Sequence, residues 1–487
     1  MHCLTLCHHI RWRRTLSGTP ESRIETGWLA DLIYTGGKFE SGLAMFADAT
    51  GRITRFSREP ADIEKAERLP NRAILPGLVN VHSHAFQRVI RGRTEHRSGA
   101  ERDTFWTWRV AMYHAANQLS PEAVYHSARM AYLEMLLAGI TTVGEFHYLH
   151  HAQGGLPYDD RNLLAWQILQ AAGETGLRIA LLRTAYVRAG WHKPPDPGQA
   201  RFLTPKVEDF LGDTDAVRAA LPKISKPGKA WVGVAPHSVR AVPLDYLLEV
   251  VRYARTNHLP LHMHVAEQPA EVEACVGEYG KRPIDLLQAH GVIDSHFTGI
   301  HAIHITDQEA AALGEAKARV CACPSSERNL GDGAVPADRL LPAGAGICFG
   351  SDSNVQIDIL EDARLLEYHI RMNRLERVVL APGSDHAALA KRLFACATEM
   401  GAQSLGAPVG SLDVGRAADF FTVDLNDPSV AGAGDALLNH IVVSLERTAI
   451  REVAVGGEFL IREGRHALQE EIIREFADVQ REVWGES

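Results

Sequence analysis

The middle of the chain alternates short apolar runs with amphipathic stretches of helical period. Helix starts are marked by Ser120-Pro121-Glu122, an N-cap followed by proline, and by Thr306-Asp307-Gln308-Glu309, which has the spacing of a capping box. Apolar runs of strand length recur at 73–81, 140–146, 178–185, 231–236, 259–266, 297–303, 318–323 and 346–351. Eight strand–helix units predict an α/β fold, a (β/α)8 barrel with its functional groups at the carboxyl ends of the strands. A doubly wound open sheet is the alternative, but no Gly-x-Gly-x-x-Gly turn follows the first strand.

The two ends of the chain carry short β-type runs separated by glycine and charged turns. Examples are Leu32-Ile33-Tyr34 and Ala418-Asp419-Phe420-Phe421-Thr422-Val423. Two such segments flanking a long middle predict one small β-sandwich domain assembled from both ends. The expected order is an N-terminal tail at 1–25, the first part of the sandwich at 26–73, the barrel at 74–405, the second part of the sandwich at 406–465 and a C-terminal helix at 466–487.

Composition limits the possible partners. The 487 residues are 46% hydrophobic and 23% charged, as in a soluble globular protein with a large core. The formal net charge is -9 and no long basic run occurs, so neither nucleic acid nor an anionic membrane surface is expected as a partner. No apolar stretch is long enough to span a bilayer. The segment Met1–Arg14 lacks a small-residue cleavage site and is not expected to be a signal peptide.

The cysteines indicate the redox environment of the protein and do not indicate a metal site. Seven scattered cysteines, an odd number, favour a reducing environment and a cytoplasmic location. Cys321 and Cys323 resemble half of a zinc site, but no second pair exists, so they are interpreted as buried small apolar residues. Near the N-terminus four possible ligands occur together, although a tail without a metal is favoured there: Cys3, Cys7, His8 and His9.

Histidine and aspartate at the strand ends predict a metal site. His82 and His84 end the first strand, and residues two apart in a strand point to the same side. His264 ends the fifth strand and Asp352 follows the eighth. Together they would offer three neutral imidazoles and one carboxylate to a single divalent ion, with a position left for water.

Glu267 lies three residues after His264, beyond the strand end, where it could move a proton between water and a leaving amine. His262 faces the same way as His264 but one layer deeper, and His304 lies past the end of its strand. Both are interpreted as structural.

These segments resemble the amidohydrolase superfamily in its deaminase branch, through Pro76-Gly77-Leu78-Val79-Asn80-Val81-His82-Ser83-His84, His264-Val265-Ala266-Glu267, His301 and Gly350-Ser351-Asp352. Further motifs resemble the subgroup of that superfamily that hydrolyses formimidoylglutamate. They are His84-Ala85-Phe86-Gln87-Arg88, Phe105-Trp106-Thr107-Trp108-Arg109, Glu145-Phe146-His147-Tyr148, His237-Ser238-Val239-Arg240 and Asn329-Leu330-Gly331-Asp332-Gly333. The similarity extends over roughly residues 27 to 465.

The resemblance implies a mechanism and a set of partners. One Zn²⁺ per chain would be held by His82, His84, His264 and Asp352. Asp352 would also accept a proton from water, Glu267 would protonate the substrate nitrogen, and His301 would stabilise the tetrahedral centre. Binuclear relatives carry a carboxylated lysine on strand four, which here ends in His237, so one metal is expected. A homodimer is also expected from the resemblance.

The implied substrate, N-formimidoyl-L-glutamate, carries two carboxylates and would yield N-formyl-L-glutamate and ammonia in histidine degradation. A buried dianion requires fixed donors, and Arg109 and Arg240 could each bind one carboxylate through a forked pair. Further hydrogen bonds are expected from Gln87, Tyr148 and His237.

Two rival functions stay open at this point. Deamination of a purine or another cyclic amidine would use the same metal apparatus, although a neutral ring does not call for two arginines. A non-catalytic scaffold would have lost ligands, whereas every proposed ligand and Glu267 are present.

Overall fold

The computed structural model describes residues 25–485. The predicted N-terminal tail, with Cys3, Cys7, His8 and His9, lies outside the described residues apart from residue 25. The first five strands are β1 (Thr26–Thr35), β2 (Lys38–Glu40), β3 (Ala44–Ala47), β4 (Ile53–Ser57) and β5 (Glu67–Pro76).

The next eight strands form the barrel. They are β6 (Leu78–Ser83), β7 (Ile140–His147), β8 (Arg178–Ala185), β9 (Ala230–Pro236), β10 (Leu261–Val265), β11 (Phe297–His301), β12 (Arg319–Ala322) and β13 (Gly346–Phe349). All are parallel and pair in sequence order. Beyond β13, Asp352 bridges to Ser83, and its N–H donates to the His82 carbonyl at 2.9 Å, which brings the first and last strands together. The predicted (β/α)8 barrel is confirmed, and the doubly wound alternative is wrong because the strand order never reverses.

The remaining strands are β14 (Phe420–Asp424), β15 (Ile450–Val455), β16 (Glu458–Arg462) and β17 (Arg465–His466). They join β1–β5 in one mixed sheet of order β17-β16-β15-β14-β5-β1-β3-β4, with β2 paired to β1. The β domain built from both ends of the chain is therefore confirmed. Its strands form a continuous sheet around a small core in which Trp28 packs edge-on against Phe420 at a ring separation of 5.3 Å.

The helices are α1 (Pro60–Ile63), α2 (Phe105–Gln118), α3 (Pro121–Leu137), α4 (Leu163–Thr175), α5 (Val207–Ile224), α6 (Leu244–Thr256), α7 (Pro269–Tyr279), α8 (Pro283–Ala289), α9 (Asp307–Glu315), α10 (Pro324–Leu330), α11 (Ala337–Ala343), α12 (Ile359–Arg374), α13 (Ala388–Ala395), α14 (Gly401–Leu405), α15 (Leu437–Ser444) and α16 (Gln469–Trp484). Both predicted starts are confirmed: Ser120 caps α3, and Thr306 and Glu309 form the capping box of α9. In the described part of the chain no helix combines the length and apolar character needed to cross a bilayer.

The apolar run at 73–81 is divided between two sheets, whereas the sequence predicted one strand. Residues up to Pro76 belong to β5 of the mixed sheet, and β6 of the barrel begins at Leu78. Gly77 makes the crossing, and a Cβ there would lie 2.2 Å from the Thr141 hydroxyl oxygen, so only glycine fits. Both strand segments are buried, so apolar residues continue across Gly77, and Asn80, also buried, is the one polar residue of the run.

Candidate active site

Four of the predicted side chains converge at the carboxyl end of the barrel. His82 Nε2 lies 3.2 Å from Asp352 Oδ1, and His84 Nε2 lies 3.3 Å from the same oxygen. His264 Nε2 is 3.2 Å from His82 Nε2. All four side chains are buried. The strands bring these residues together because parallel β6, β10 and β13 end at the same edge.

Hydrogen bonds to the backbone orient two of the imidazoles. His84 Nδ1 lies 3.0 Å from the Phe146 carbonyl oxygen, and His264 Nδ1 lies 3.1 Å from that of His237. A carbonyl accepts only, so each Nδ1 carries the proton and each Nε2 directs a lone pair into the cluster. Burial lowers the pKa of His82 to about 3, which keeps that imidazole in the neutral form that binds metal.

The cluster fits a divalent metal ion. A tetrahedral ion with metal–nitrogen and metal–oxygen distances of about 2.0–2.1 Å separates its ligand atoms by roughly 3.3 Å. The nitrogen–oxygen and nitrogen–nitrogen distances of 3.2–3.3 Å match that separation. Two imidazole nitrogens that both present lone pairs at 3.2 Å repel each other unless a cation or a proton lies between them. The donor set, three neutral imidazoles and one carboxylate, is one that zinc prefers.

His301 lies beside the cluster with a carboxylate on each side. Its ring stacks on that of His264 at 5.6 Å, and its side chain lies within 4.8 Å of the ligand atoms of His82, His264 and Asp352. Its Nδ1 is 3.2 Å from Glu327 Oε1, while Nε2 is 3.9 Å from Glu267 Oε1. Burial opposes the charged form, yet these carboxylates hold the pKa of His301 well above its usual value.

Glu267 projects from the loop after β10, and a hydrogen bond from its backbone N–H fixes its position. Its N–H donates to Glu271 Oε2 at 3.1 Å. Burial raises the pKa of Glu267, opposed mainly by His301, and burial together with Glu267 raises the pKa of Glu271 to about 7. A carboxyl group whose pKa is raised toward neutrality can give up and take back a proton at working pH.

Several residues of the site have left-handed backbone conformations. The φ angles are 50° at Ala266, 70° at His301 and 46° at Asp352. Non-glycine residues rarely adopt such angles, and backbone strain of this kind is concentrated at functional sites. Here the strained residues are the ones that direct Glu267, His301 and Asp352 into the pocket.

The other end of the same pocket is cationic. Arg109 from α2 and Arg240, three residues after His237, both direct their guanidiniums into it. Gln87 Nε2 donates to the Tyr148 hydroxyl at 2.8 Å, and the His237 ring packs 4.7 Å from that of His264. The pocket wall includes every predicted site residue except His82, which lies beneath it: His84, Gln87, Arg109, Tyr148, His237, Arg240, His264, Glu267, His301 and Asp352.

Sequence reasoning missed several residues that line or support the pocket. Tyr186 lines the pocket directly after β8, the third strand of the barrel, for which the sequence analysis named no site residue. Its position just past a strand end is the sequence feature that could have identified it. Glu271 and Glu327 sit within helices α7 and α10, where a carboxylate carries no distinguishing pattern. His262 and His304, interpreted as structural, each hydrogen-bond a backbone carbonyl, at 3.1 Å and 3.0 Å.

The chain is similar to known proteins over most of its length. The model of the Amidohydrolase family matches residues 73–460. Formimidoylglutamate deiminase of Pseudomonas aeruginosa is 40% identical over 433 residues, which cover 88% of this chain and 92% of the relative. A 5-methylthioadenosine/S-adenosylhomocysteine deaminase of Natronomonas pharaonis is 27% identical over 395 residues, 80% of this chain and 81% of that protein.

Solved structures with a similar fold include two enzymes. An amidohydrolase from Brucella melitensis has a TM-score of 0.86 and 34% identity, covering 94% of this chain and all of that one. An adenosine deaminase from Xanthomonas campestris with bound zinc has a TM-score of 0.77 at 20% identity, covering 94% of this chain and 98% of that chain, a likeness of fold alone. The chain belongs to the amidohydrolase family, and within that family it resembles formimidoylglutamate deiminase.

Proposed function

We propose that the protein hydrolyses N-formimidoyl-L-glutamate to N-formyl-L-glutamate and ammonia, a step in histidine degradation, with one Zn²⁺ per chain. The observation that carries the proposal is the pair Arg109 and Arg240 in the same pocket as the histidine cluster. Within the described residues their hydrogen bonds go to phenol and backbone carbonyl oxygens, with no carboxylate partner. Two guanidiniums in one pocket that are not hydrogen-bonded to a carboxylate are suited to an anionic ligand.

The charge distribution matches both ends of this substrate. A formimidoyl group is an amidine, cationic when protonated, and the carboxyl groups of Glu267 and Asp352 line the pocket beside the histidines. The two carboxylates of the glutamate part would face the arginines. A neutral purine has neither feature, which is why the linear amidine is favoured.

The proposed metal ligands are His82, His84, His264 and Asp352. When bound there, Zn²⁺ would act as a Lewis acid that makes water a nucleophile near neutral pH. His301 is left out of the ligand set because its Nδ1 is held by Glu327 and its Nε2 faces Glu267. No lysine occurs at the end of β9, whose sequence runs Ala230–Pro236 before His237, and this supports a single ion.

Three side chains would move or hold protons. Asp352 accepts a proton from the attacking water at a carboxylate oxygen. Glu267 passes a proton to the formimidoyl nitrogen, so that the carbon–nitrogen bond breaks with ammonia as the leaving group. His301 donates from Nε2 to the oxygen that develops charge at the reacting carbon, while its Nδ1–H donates to Glu327. Water supplies the oxygen of the formyl product. Both of its protons end on the departing nitrogen, one through Glu267 and one through Asp352, so HN=C and H2O give O=C and NH3 and both carboxyl groups return to their starting state.

An ammonia-release assay over a small panel tests the proposal. The panel contains formimidoyl-L-glutamate, formimidoylglycine, adenosine and 5-methylthioadenosine, each with metal-loaded enzyme. We expect formimidoyl-L-glutamate to be hydrolysed with the highest kcat/KM. Faster release of ammonia from either purine nucleoside would replace the proposed substrate with a cyclic amidine.

The assembly and location stay predictions. The family resemblance implies a homodimer, which light scattering after gel filtration would test. A reducing, cytoplasmic location is supported by the five described cysteines, which are all buried and unpaired.

A further inference from the structure

Tyr186 joins the two arginines at the cationic end of the pocket. Its side chain is buried, with 1% exposure, and its hydroxyl oxygen lies 3.1 Å from an Arg109 terminal nitrogen. Both terminal nitrogens of Arg240 lie 3.2 Å from the same oxygen, and Gln199 Nε2 lies 3.1 Å from it. Four N–H donors from three side chains therefore converge on one phenol oxygen, more than a neutral hydroxyl normally accepts.

The two arginines that contact the Tyr186 oxygen are both positively charged. Two guanidiniums directed at one point repel each other, and partial burial strengthens that repulsion because little water screens it. The acceptor between them is the Tyr186 oxygen, since no carboxylate of the described residues pairs with either arginine. Burial alone would raise the pKa of Tyr186, but Arg240 and Arg109 lower it below its usual value, while burial raises the pKa of the adjacent Tyr113.

We infer that the Tyr186 hydroxyl is the anchor that holds Arg109 and Arg240 as one paired site for the carboxylates of the substrate. The inference deepens the proposed function and rests on it for the identity of the substrate. It also changes one expectation: because both guanidiniums meet at a single oxygen, they act as a unit, and not as two separate clamps. Tyr186 is thus a positioning residue for substrate recognition that sequence reasoning did not identify.

The surroundings of Tyr186 fix its ring and its charge. The ring of His237 packs edge-on at 4.5 Å, and the rings of Phe202 and Tyr148 lie 6.0 Å and 6.5 Å away. The titratable or polar groups around the hydroxyl from the packed elements are Arg109 and Tyr113 of α2, Tyr148 after β7, Gln199 of the 3₁₀ segment Pro197–Phe202, and His237 and Arg240 after β9.

The substitution Tyr186→Phe removes the hydroxyl and keeps the ring. With the metal-loaded enzyme we expect KM for formimidoyl-L-glutamate to rise about tenfold to a hundredfold, the range for losing a hydrogen bond to charged groups, with kcat changed less than about threefold. Binding of glutarate, a dicarboxylate without a reactive group, should weaken by a similar factor in calorimetry. Unchanged KM and glutarate affinity, or a loss confined to kcat, would overturn the inference.

Tyr158→Phe is the matched control, because the Tyr158 hydroxyl also accepts from an arginine, Arg201 at 3.5 Å, but lies outside the pocket. It should leave KM and glutarate affinity unchanged. A rise in KM with this variant equal to that with Tyr186→Phe would also count against a specific anchor.

An alkaline titration of phenolate absorbance gives a readout that needs no turnover. Wild type should show one tyrosine that ionises at lower pH than the others, and Tyr186→Phe should lack it. If that variant fails to fold, the wild-type titration decides: saturating glutarate should move this tyrosine to higher pH by supplying competing negative charge. A titration identical with and without glutarate would overturn the inference.

The two proposals fail in different ways. If wild type releases no ammonia from formimidoyl-L-glutamate, the proposed substrate is wrong, whereas glutarate binding and its loss in Tyr186→Phe still test the anchor. If wild type hydrolyses the substrate and the variant keeps its KM, only the anchor is wrong.

Discussion

Glu267 is the residue on which the proposed proton transfer depends. It lies 3.9 Å from His301 Nε2 and is held through its backbone by Glu271. Glu267→Gln keeps the shape and removes the acid, so we expect kcat to fall about 10²–10⁴-fold with the metal content unchanged. Steady-state kinetics and elemental analysis on the same sample measure both. A variant with near-normal kcat would assign the proton to another group of the pocket, such as Glu271.

Arg240 is where substrate selection should be most visible. Arg240→Met removes one guanidinium, and truncating one partner of a charge pair costs on the order of 2–5 kcal/mol, roughly 30- to several-thousand-fold in kcat/KM. We expect hydrolysis of formimidoyl-L-glutamate to fall by such a factor while the gap to formimidoylglycine narrows. Metal content should not change. Equal slowing of both substrates would mean that Arg240 supports the pocket and does not select the substrate.

Some individual residues of the site could be predicted from the sequence and others could not. His82, His84, His264 and Asp352 could be named in advance because a strand end followed by a histidine or an aspartate is a local signal. Glu327 could not, since its role depends on meeting His301 from a helix 26 residues away in the chain. Tyr186 had a local signal, the end of β8, but a lone tyrosine there does not indicate that two arginines meet it.

Among the elements, a buried ion pair joins the barrel to the mixed sheet. Arg178 at the start of β8 donates to both carboxylate oxygens of Asp419, just before β14, at 2.7 Å and 2.8 Å. Asp419→Ala leaves the guanidinium buried without its partner, and we expect a loss of about 3–5 kcal/mol of stability, measured as a fall in Tm. The exposed pair Arg462–Glu67 is the control, and Arg462→Ala should cost less than about 1 kcal/mol. A Tm unchanged by Asp419→Ala would show that the pair does not hold the junction.

The spacing of apolar residues predicted the barrel strands, but it did not predict where the chain passes from the mixed sheet into the barrel. All eight barrel strands lie within or beside the apolar runs of the sequence. The run at 73–81 is not a single strand, and its hydrophobicity does not mark the crossing because the residues on both sides of Gly77 are buried and apolar.

For the whole molecule, one metal ion per chain is expected. Elemental analysis of gently purified protein should give about one equivalent, since three histidines and one aspartate form the cluster and β9 offers no bridging lysine. Chelation should abolish turnover while far-ultraviolet circular dichroism stays the same, because the apolar core of the barrel is continuous without the ion. Two equivalents with full activity would contradict the mononuclear site.

The sequence by itself determined the barrel, the β domain from both chain ends and the strand-end groups, because hydrophobic period and local motifs are written in neighbouring residues. Two features became visible only in the tertiary structure. One is the strained backbone at His301 and Asp352. The other is the contact between distant groups, namely Glu327 with His301, and Tyr186 with Arg109 and Arg240. These contacts join residues 26 to 77 positions apart, and their energies depend on burial and mutual charge, which arise only when the strands are assembled around one pocket.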